Sequence, residues 1–179
     1  MFSTKFIHLD LLVMPDDGKR RELVGGDLFV TPSPLSGHQR VVSRLASALS
    51  AYLRNHPIGV LLTAPYDLVF DDYDVLKPDL LFVLNERRSI IRDRACGPPD
   101  LVVEVLSPAS VQQDRGPKLQ AYARFGVPEY WMADPEQKAI EVCRVAPEGY
   151  QLARVFPQHE TVTSPLLPGF SLRVRSIFG

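Results

Sequence analysis

Apolar and polar positions along the chain follow two different rhythms. Across residues 35–55, Val41, Val42, Leu45, Ala46, Leu49, Tyr52 and Leu53 recur at three- and four-residue steps, while Arg40, Arg44 and Ser47 fall elsewhere. That spacing predicts an amphipathic helix, stopped by His56-Pro57 and Gly59. Short β-type runs at 22–24 and 27–31 flank Gly25-Gly26, which predicts a hairpin closed off by Pro32 and Pro34. Further strands are expected at 60–63 and 66–70 around Pro65, and at 79–83 after Pro78. Residues 85–95 form a charged loop or short helix carrying Arg87, Arg88, Arg92 and Arg94. A weaker helix pattern covers 3–14, ended by Pro15 and Asp16-Asp17-Gly18.

The second half is organised around residues 97–108, GPPDLVVEVLSP. This run is short, rich in β-branched residues and bounded by prolines, as a buried central strand is. Side chains alternate along a strand, so Asp100, Val102, Glu104 and Leu106 share one face and Leu101, Val103 and Val105 the other. Asp114 looks like the N-cap of a helix that tolerates Pro117 in its first turn and ends at Gly126 with Pro128 beyond. Strands follow at 129–133, 139–145 and 149–155, the last two as a hairpin. The tail is expected to be loop-rich, with a final apolar stretch at 170–174. Strands interleaved with helices predict an α/β (α+β) fold: a mixed central sheet flanked by helices, with an N-terminal β-hairpin.

Glu104 disturbs this pattern. A carboxylate inside a buried strand costs several kcal/mol in desolvation unless something compensates it. Protonation, a structural Arg or Lys partner, or a metal ion would each do so. Lys118 is equally out of place, because it lies at i, i+4 and i+7 with Tyr122 and Phe125 on the apolar side of the next helix. If the strands at 79–83 and 101–106 are neighbours, Asp79, Glu104 and Lys118 converge at one end of the sheet. Two carboxylates and a lysine suit metal-assisted phosphodiester hydrolysis: hard oxygens hold Mg²⁺, and a cation stabilises charge on the transferring phosphate. The same residues also suit a buried Glu104–Lys118 ion pair with no chemistry attached.

Composition narrows the setting. The chain has 179 residues, the length of one domain, and a net charge of −1, which gives no global basic signal for nucleic acid. A local patch is still allowed, and the arginine group at 87–94 is the candidate for it, against an ordinary solvated loop. Cys96 and Cys143 have neither metal nor disulfide-framework spacing, and Cys143 falls in an apolar strand pattern. The N-terminal residues lack a basic n-region and a small-residue cleavage site, and no apolar run is long enough to span a bilayer. A cytoplasmic protein is expected. Tyr130-Trp131 suits core packing better than a base-stacking platform.

Four segments together carry a resemblance: KPDLLFV, GPPDLVVEVLSP, DRGPKLQAYARFGVPEYWMADP and, upstream, RRELVGGDLFVTPSPLSGHQRVVSRL. They resemble the bacterial putative restriction endonuclease family of the PD-(D/E)XK nuclease superfamily, from about Glu22 to Arg144. The resemblance implies a restriction-endonuclease-like core as one nuclease domain over 1–179. It implies a Mg²⁺- or Mn²⁺-dependent endonuclease acting on nucleic acid, with DNA as the expected substrate. Asp79 and Glu104 match the acidic metal-binding positions. The superfamily's usual lysine position, two residues after the second acid, is Leu106 here, and Lys118 matches the helix lysine of the family instead. Pro117 stands where that helix usually has Glu, and Gly25-Gly26-Asp27 stands where the hairpin usually has Asp-Gly-Glu. Glu22 and His38 also match family positions, as an accessory ligand and a helix-start residue facing the site. Their plainer readings are an exposed strand residue and a local hydrogen bond. The departures keep a second reading alive, a catalytically silent nuclease fold that binds nucleic acid or a protein partner. A homodimer is expected on general grounds, since two-fold symmetry is the commonest and lets a nuclease address both strands.

Overall fold

The computed structural model describes residues 4–179. Residues 1–3, where the N-terminal stretch begins and the helix expected at 3–14 has its first position, lie outside it. In chain order the elements are α1 (His8–Val13), β1 (Arg20–Val24), β2 (Asp27–Thr31), α2 (Ser36–Asn55), β3 (Gly59–Thr63), β4 (Leu68–Val69), β5 (Val75–Leu76) and β6 (Leu80–Leu84). A 3₁₀ segment, Asn85–Ile90, leads to β7 (Ala95–Cys96), β8 (Leu101–Val105), α3 (Val111–Arg115), α4 (Pro117–Arg124) and β9 (Glu129–Asp134). The chain ends with β10 (Ala139–Ala146), β11 (Gly149–Pro157), β12 (Thr161–Ser164), β13 (Leu167–Arg173) and α5 (Arg175–Phe178). No helix among the described residues is long and apolar enough to cross a membrane.

The main sheet runs β11-β10-β9-β8-β6-β3 and is mixed: β8 pairs parallel with β9 and antiparallel with β6. A mixed α/β fold with helices on the sheet is what the pattern of strands and helices predicts. Alternation along β8 sorts its side chains as expected. Leu101, Val103 and Val105 pack with Val41, Leu45 and Leu49 of α2 and with the C-terminal elements. Val102 and Leu106 pack on the opposite face with Ala121 and Tyr122 of α4. That face is also covered by a second, small sheet, β2-β1-β5-β4-β7, which contributes Val24, Leu68 and Leu76. Trp131 and Tyr130 are fully buried, one on each side, so both are core and neither offers a ring for stacking.

Three local expectations are corrected. Asp114 is not an N-cap: it lies inside α3, and the chain breaks at Gly116 instead. The reason is Pro117, which disfavours helical backbone at the residue before it and is accommodated as the first position of α4. The tail is ordered rather than loop-rich, with β12 and β13 forming a hairpin whose Val162, Leu167 and Phe170 join the core under α2. The N-terminal hairpin is also larger than expected, because β4, β5 and β7 extend it into the five-stranded sheet. The hairpin turn itself is as predicted, with Gly25 and Gly26 at φ 57° and 77°, both in the left-handed region that a two-residue turn requires.

Gly59 shows how closely β3 sits on β6. A Cβ there would run into the Val83 carbonyl oxygen and the Phe82 ring. Gly59→Ala is expected to lose about 1–3 kcal/mol, as overpacked cores do. Urea denaturation would read this directly, and a loss below about 0.5 kcal/mol would mean that the edge strand simply slides away.

Candidate active site

Continuing the β6–β8 register past Leu80↔Val103 sets Asp79 opposite Glu104. Both then lie on the α4 side of the sheet, at the same end of two neighbouring strands. Asp79 is fixed further by Val105 N–H, which donates to its Oδ2 at 2.8 Å. Glu22 enters from the small sheet, where β1 faces the chain linking β5 to β6, and Lys77 N–H donates to its Oε1 at 2.7 Å. Lys118 comes from the first turn of α4, and Asp114 from the turn before it in α3. Glu22, Asp79, Glu104, Asp114 and Lys118 are each at most 3% exposed.

Two cations organise the carboxylates from opposite sides. Lys118 Nζ lies 2.9 Å from Glu104 Oε1, 3.1 Å from Glu22 Oε1 and 3.1 Å from Asp114 Oδ1. Tyr122 Oη donates to the same Glu104 oxygen at 3.0 Å. The remaining oxygens meet Arg20. Its guanidinium lies 3.3 Å from Glu22 Oε2, 3.1 Å from Asp79 Oδ1 and 3.3 Å from Glu104 Oε2. Arg20 also donates to Lys77 O. His38, in the first turn of α2, places Nε2 3.1 Å from Asp79 Oδ2, and its Nδ1 is buried without a hydrogen-bond partner.

The electrostatics follow from this sharing. Burial would raise the Glu22 and Asp79 carboxyls, but Lys118 and Arg20 beside Glu22, and His38 and Arg20 beside Asp79, hold both below the ordinary range. Glu104 goes the other way and is pushed up to about 7 by burial, with Asp114 and Asp79 adding repulsion. Lys118 itself stays charged, because the attraction of Glu104, Glu22 and Asp114 outweighs its burial. These directions agree once the lysine is seen as shared: it gains from three anions, while Glu104 receives only a share of Lys118 and of Arg20. Burial lowers the His38 pKa, yet the hydrogen bond to Asp79 raises it above its usual value.

A cleft of about 530 Å³ opens beside the cluster. Arg20 and His38 reach its wall, with Leu106, Ser107 and the loop after β2. The carboxylates lie behind these two side chains. Glu22, Asp79 and Glu104 are the groups here that could hold a hard divalent cation, since all three offer carboxylate oxygen. Four carboxylates share two permanent cations, Lys118 and Arg20, with the His38 imidazole beside Asp79. Their present spacing is not that of a ready shell: no His, Cys, Asp or Glu group among the described residues is arranged to grip an ion directly.

Asp79, Glu104 and Lys118 are thus brought together, and Glu22 and His38 join them; Glu22 is not an exposed strand residue and His38 does more than bond locally. Arg20, Asp114 and Tyr122 belong to the cluster but were not anticipated. For Asp114 a signal existed, its i, i+4 spacing to Lys118. The arginine group at 87–94 lies elsewhere, at the far end of β6 and β8. There Arg87 donates to buried Asp100 at 2.8 Å, and Arg94 approaches His8 Nε2.

The family model described as putative restriction endonuclease, Uma2, matches residues 8–175. Among solved structures, the chain is similar to a putative nuclease belonging to DUF820 from Anabaena variabilis, with a TM-score of 0.81 and 21% identity over 98% of each chain. At that identity the likeness is one of fold. No curated protein gives a significant match. The family match covers nearly the whole length, Glu22, Asp79, Glu104 and Lys118 included, and the chain belongs to the Uma2 putative restriction endonuclease family.

Proposed function

We propose that the protein is a single-domain, divalent-metal-dependent nuclease that hydrolyses phosphodiester bonds, with DNA as substrate and Mg²⁺ or Mn²⁺ as cofactor. The observation that carries this reading is that one oxygen each from Glu22, Asp79 and Glu104 gathers around the Arg20 guanidinium beside an open cleft. Hard carboxylate oxygens suit such an ion. When bound, the ion would polarise a phosphoryl oxygen and lower the pKa of a bound water. The chain's own residues supply the frame. Lys118 and Tyr122 hold the inner oxygen of Glu104, Lys118 and the Lys77 amide hold Glu22, and His38 with the Val105 amide holds Asp79. Leu106, at the usual lysine position, lines the cleft and offers no charge, so the nearby positive charge comes from Lys118 and Arg20.

One observation favours a second reading, a silent nuclease fold. Each carboxylate of the cluster already has a protein cation within ion-pair distance, so the folded chain does not need a metal to keep them buried. Calorimetric titration with Mn²⁺ separates the two. The wild type is expected to bind, and Asp79→Asn to bind at least about tenfold more weakly, since one anionic oxygen ligand is lost. Incubation with supercoiled plasmid, single-stranded DNA and RNA then tests the substrate. Absence of Mn²⁺ heat and of cleavage in the wild type would favour the silent fold.

A further inference from the structure

We propose that Arg20 is an exchangeable counter-ion: its guanidinium fills the place a divalent cation takes between Glu22, Asp79 and Glu104, and metal enters only as Arg20 leaves. This inference rests on the metal-nuclease reading and adds how access to that site is controlled.

The division of oxygens is the first ground. Lys118 takes Oε1 of both Glu22 and Glu104, whereas Arg20 takes Oε2 of both and Oδ1 of Asp79. The oxygens free to face an incoming cation are therefore the ones that face Arg20. The fit is the second ground. Ionic hydrogen bonds from arginine are short when the fork matches its partner. Elsewhere in this protein the main partner is met closely: Arg115 meets Glu141 at 2.7 and 2.6 Å, with Asp134 as a second partner at 3.1 Å, Arg21 meets Asp17 at 2.7 and 2.8 Å, and Arg87 meets Asp100 at 2.8 Å. All three Arg20–carboxylate distances are 3.1 Å or more, and its Nε, though 3.3 Å from Glu22 Oε2, makes no aligned hydrogen bond. One guanidinium, which also donates to Lys77 O, is divided among three carboxylates that come from β1, from β8 and from the residue before β6.

An exit is the third ground. The Arg20 side chain is 21% exposed and reaches the cleft wall, while Lys118 is sealed at 3%. Of the two cations, only Arg20 can swing out without unpacking a helix. Its departure also lets the carboxylates draw together, which their present spacing around a guanidinium requires before they can hold an ion.

If Arg20 competes with the ion, the apparent affinity is reduced by the fraction of molecules in which it has left. Calorimetric Mn²⁺ titration of wild type, Arg20→Ala and Arg20→Lys reads this. Arg20→Ala is expected to bind Mn²⁺ about tenfold or more tightly than wild type. Arg20→Lys keeps the charge but cannot span three carboxylates, and an intermediate gain is expected. Equal or weaker binding in both variants, with clear binding in wild type, would overturn the exchange and leave the metal reading standing. No binding in any of the three would overturn both. Should Arg20→Ala not fold without metal, Arg20→Lys decides alone, a gain supporting exchange and no gain refuting it.

Discussion

Lys118→Met is expected to lose about 3–5 kcal/mol of folding stability at pH 8, the range found when one partner of a buried ion pair is removed. Methionine conserves most of the volume, so packing in the first turn of α4 survives and the loss reports charge. The ammonium is in contact with Glu22, Glu104 and Asp114, all buried. Without it Arg20 still reaches Glu22 and Glu104 but not Asp114, whose carboxyl burial already holds above the ordinary range. Protonation relieves an uncompensated carboxylate, so the deficit against wild type should shrink at pH 5. Urea denaturation at the two pH values checks both parts. A loss under about 1 kcal/mol at pH 8 would mean that the carboxylates are already neutral, or that Arg20 alone compensates them.

The same cluster shows where sequence reasoning reaches and where it stops. The oddity of Glu104 and Lys118 is visible because a strand's period of two and a helix's of 3.6 assign each residue a side, and both side assignments hold in the structure. Asp79 follows because two apolar strands close in sequence tend to be neighbours, which β6 and β8 are. Glu22 and His38 came from the resemblance rather than from any pattern of their own. Arg20 had neither. A charged residue at the start of a hairpin strand looks solvent-facing, and nothing local says that β1 docks on β5 and turns it inward. That docking depends on strands of two residues each, β4, β5 and β7, too short to leave an alternation in the sequence. The C-terminal hairpin was missed for a related reason: its pairing is marked by proline, glycine and polar residues that resemble a loop until Val162 and Leu167 are seen under α2.

Glu104→Gln is expected to gain about 3 kcal/mol on wild type between pH 5 and pH 8 in the absence of divalent cations. The Glu104 carboxyl is pushed up to about 7 in the fold, mainly by burial, from an ordinary value of 4.5. Between those values the folded chain keeps a proton that the unfolded chain has released. Stability therefore falls as pH rises through this window, and above it the whole penalty is present. Glutamine cannot ionise, so the substituted protein lacks that slope. Glu22 and Asp79, whose folded values are depressed, have the opposite dependence: their contribution is present above their unfolded values and is lost as pH falls through the folded ones. That part is common to both proteins and cancels in the difference. Urea denaturation of the pair at pH 5 and pH 8 with a chelator present measures it, and a difference that does not change with pH would refute the raised pKa. Adding Mn²⁺ at pH 8 should then stabilise wild type more than Glu104→Gln, because a bound cation favours the ionised carboxylate that the substituted protein lacks at this position. A strand that keeps a destabilising charge where glutamine would be more stable points to the bound state as what that charge serves.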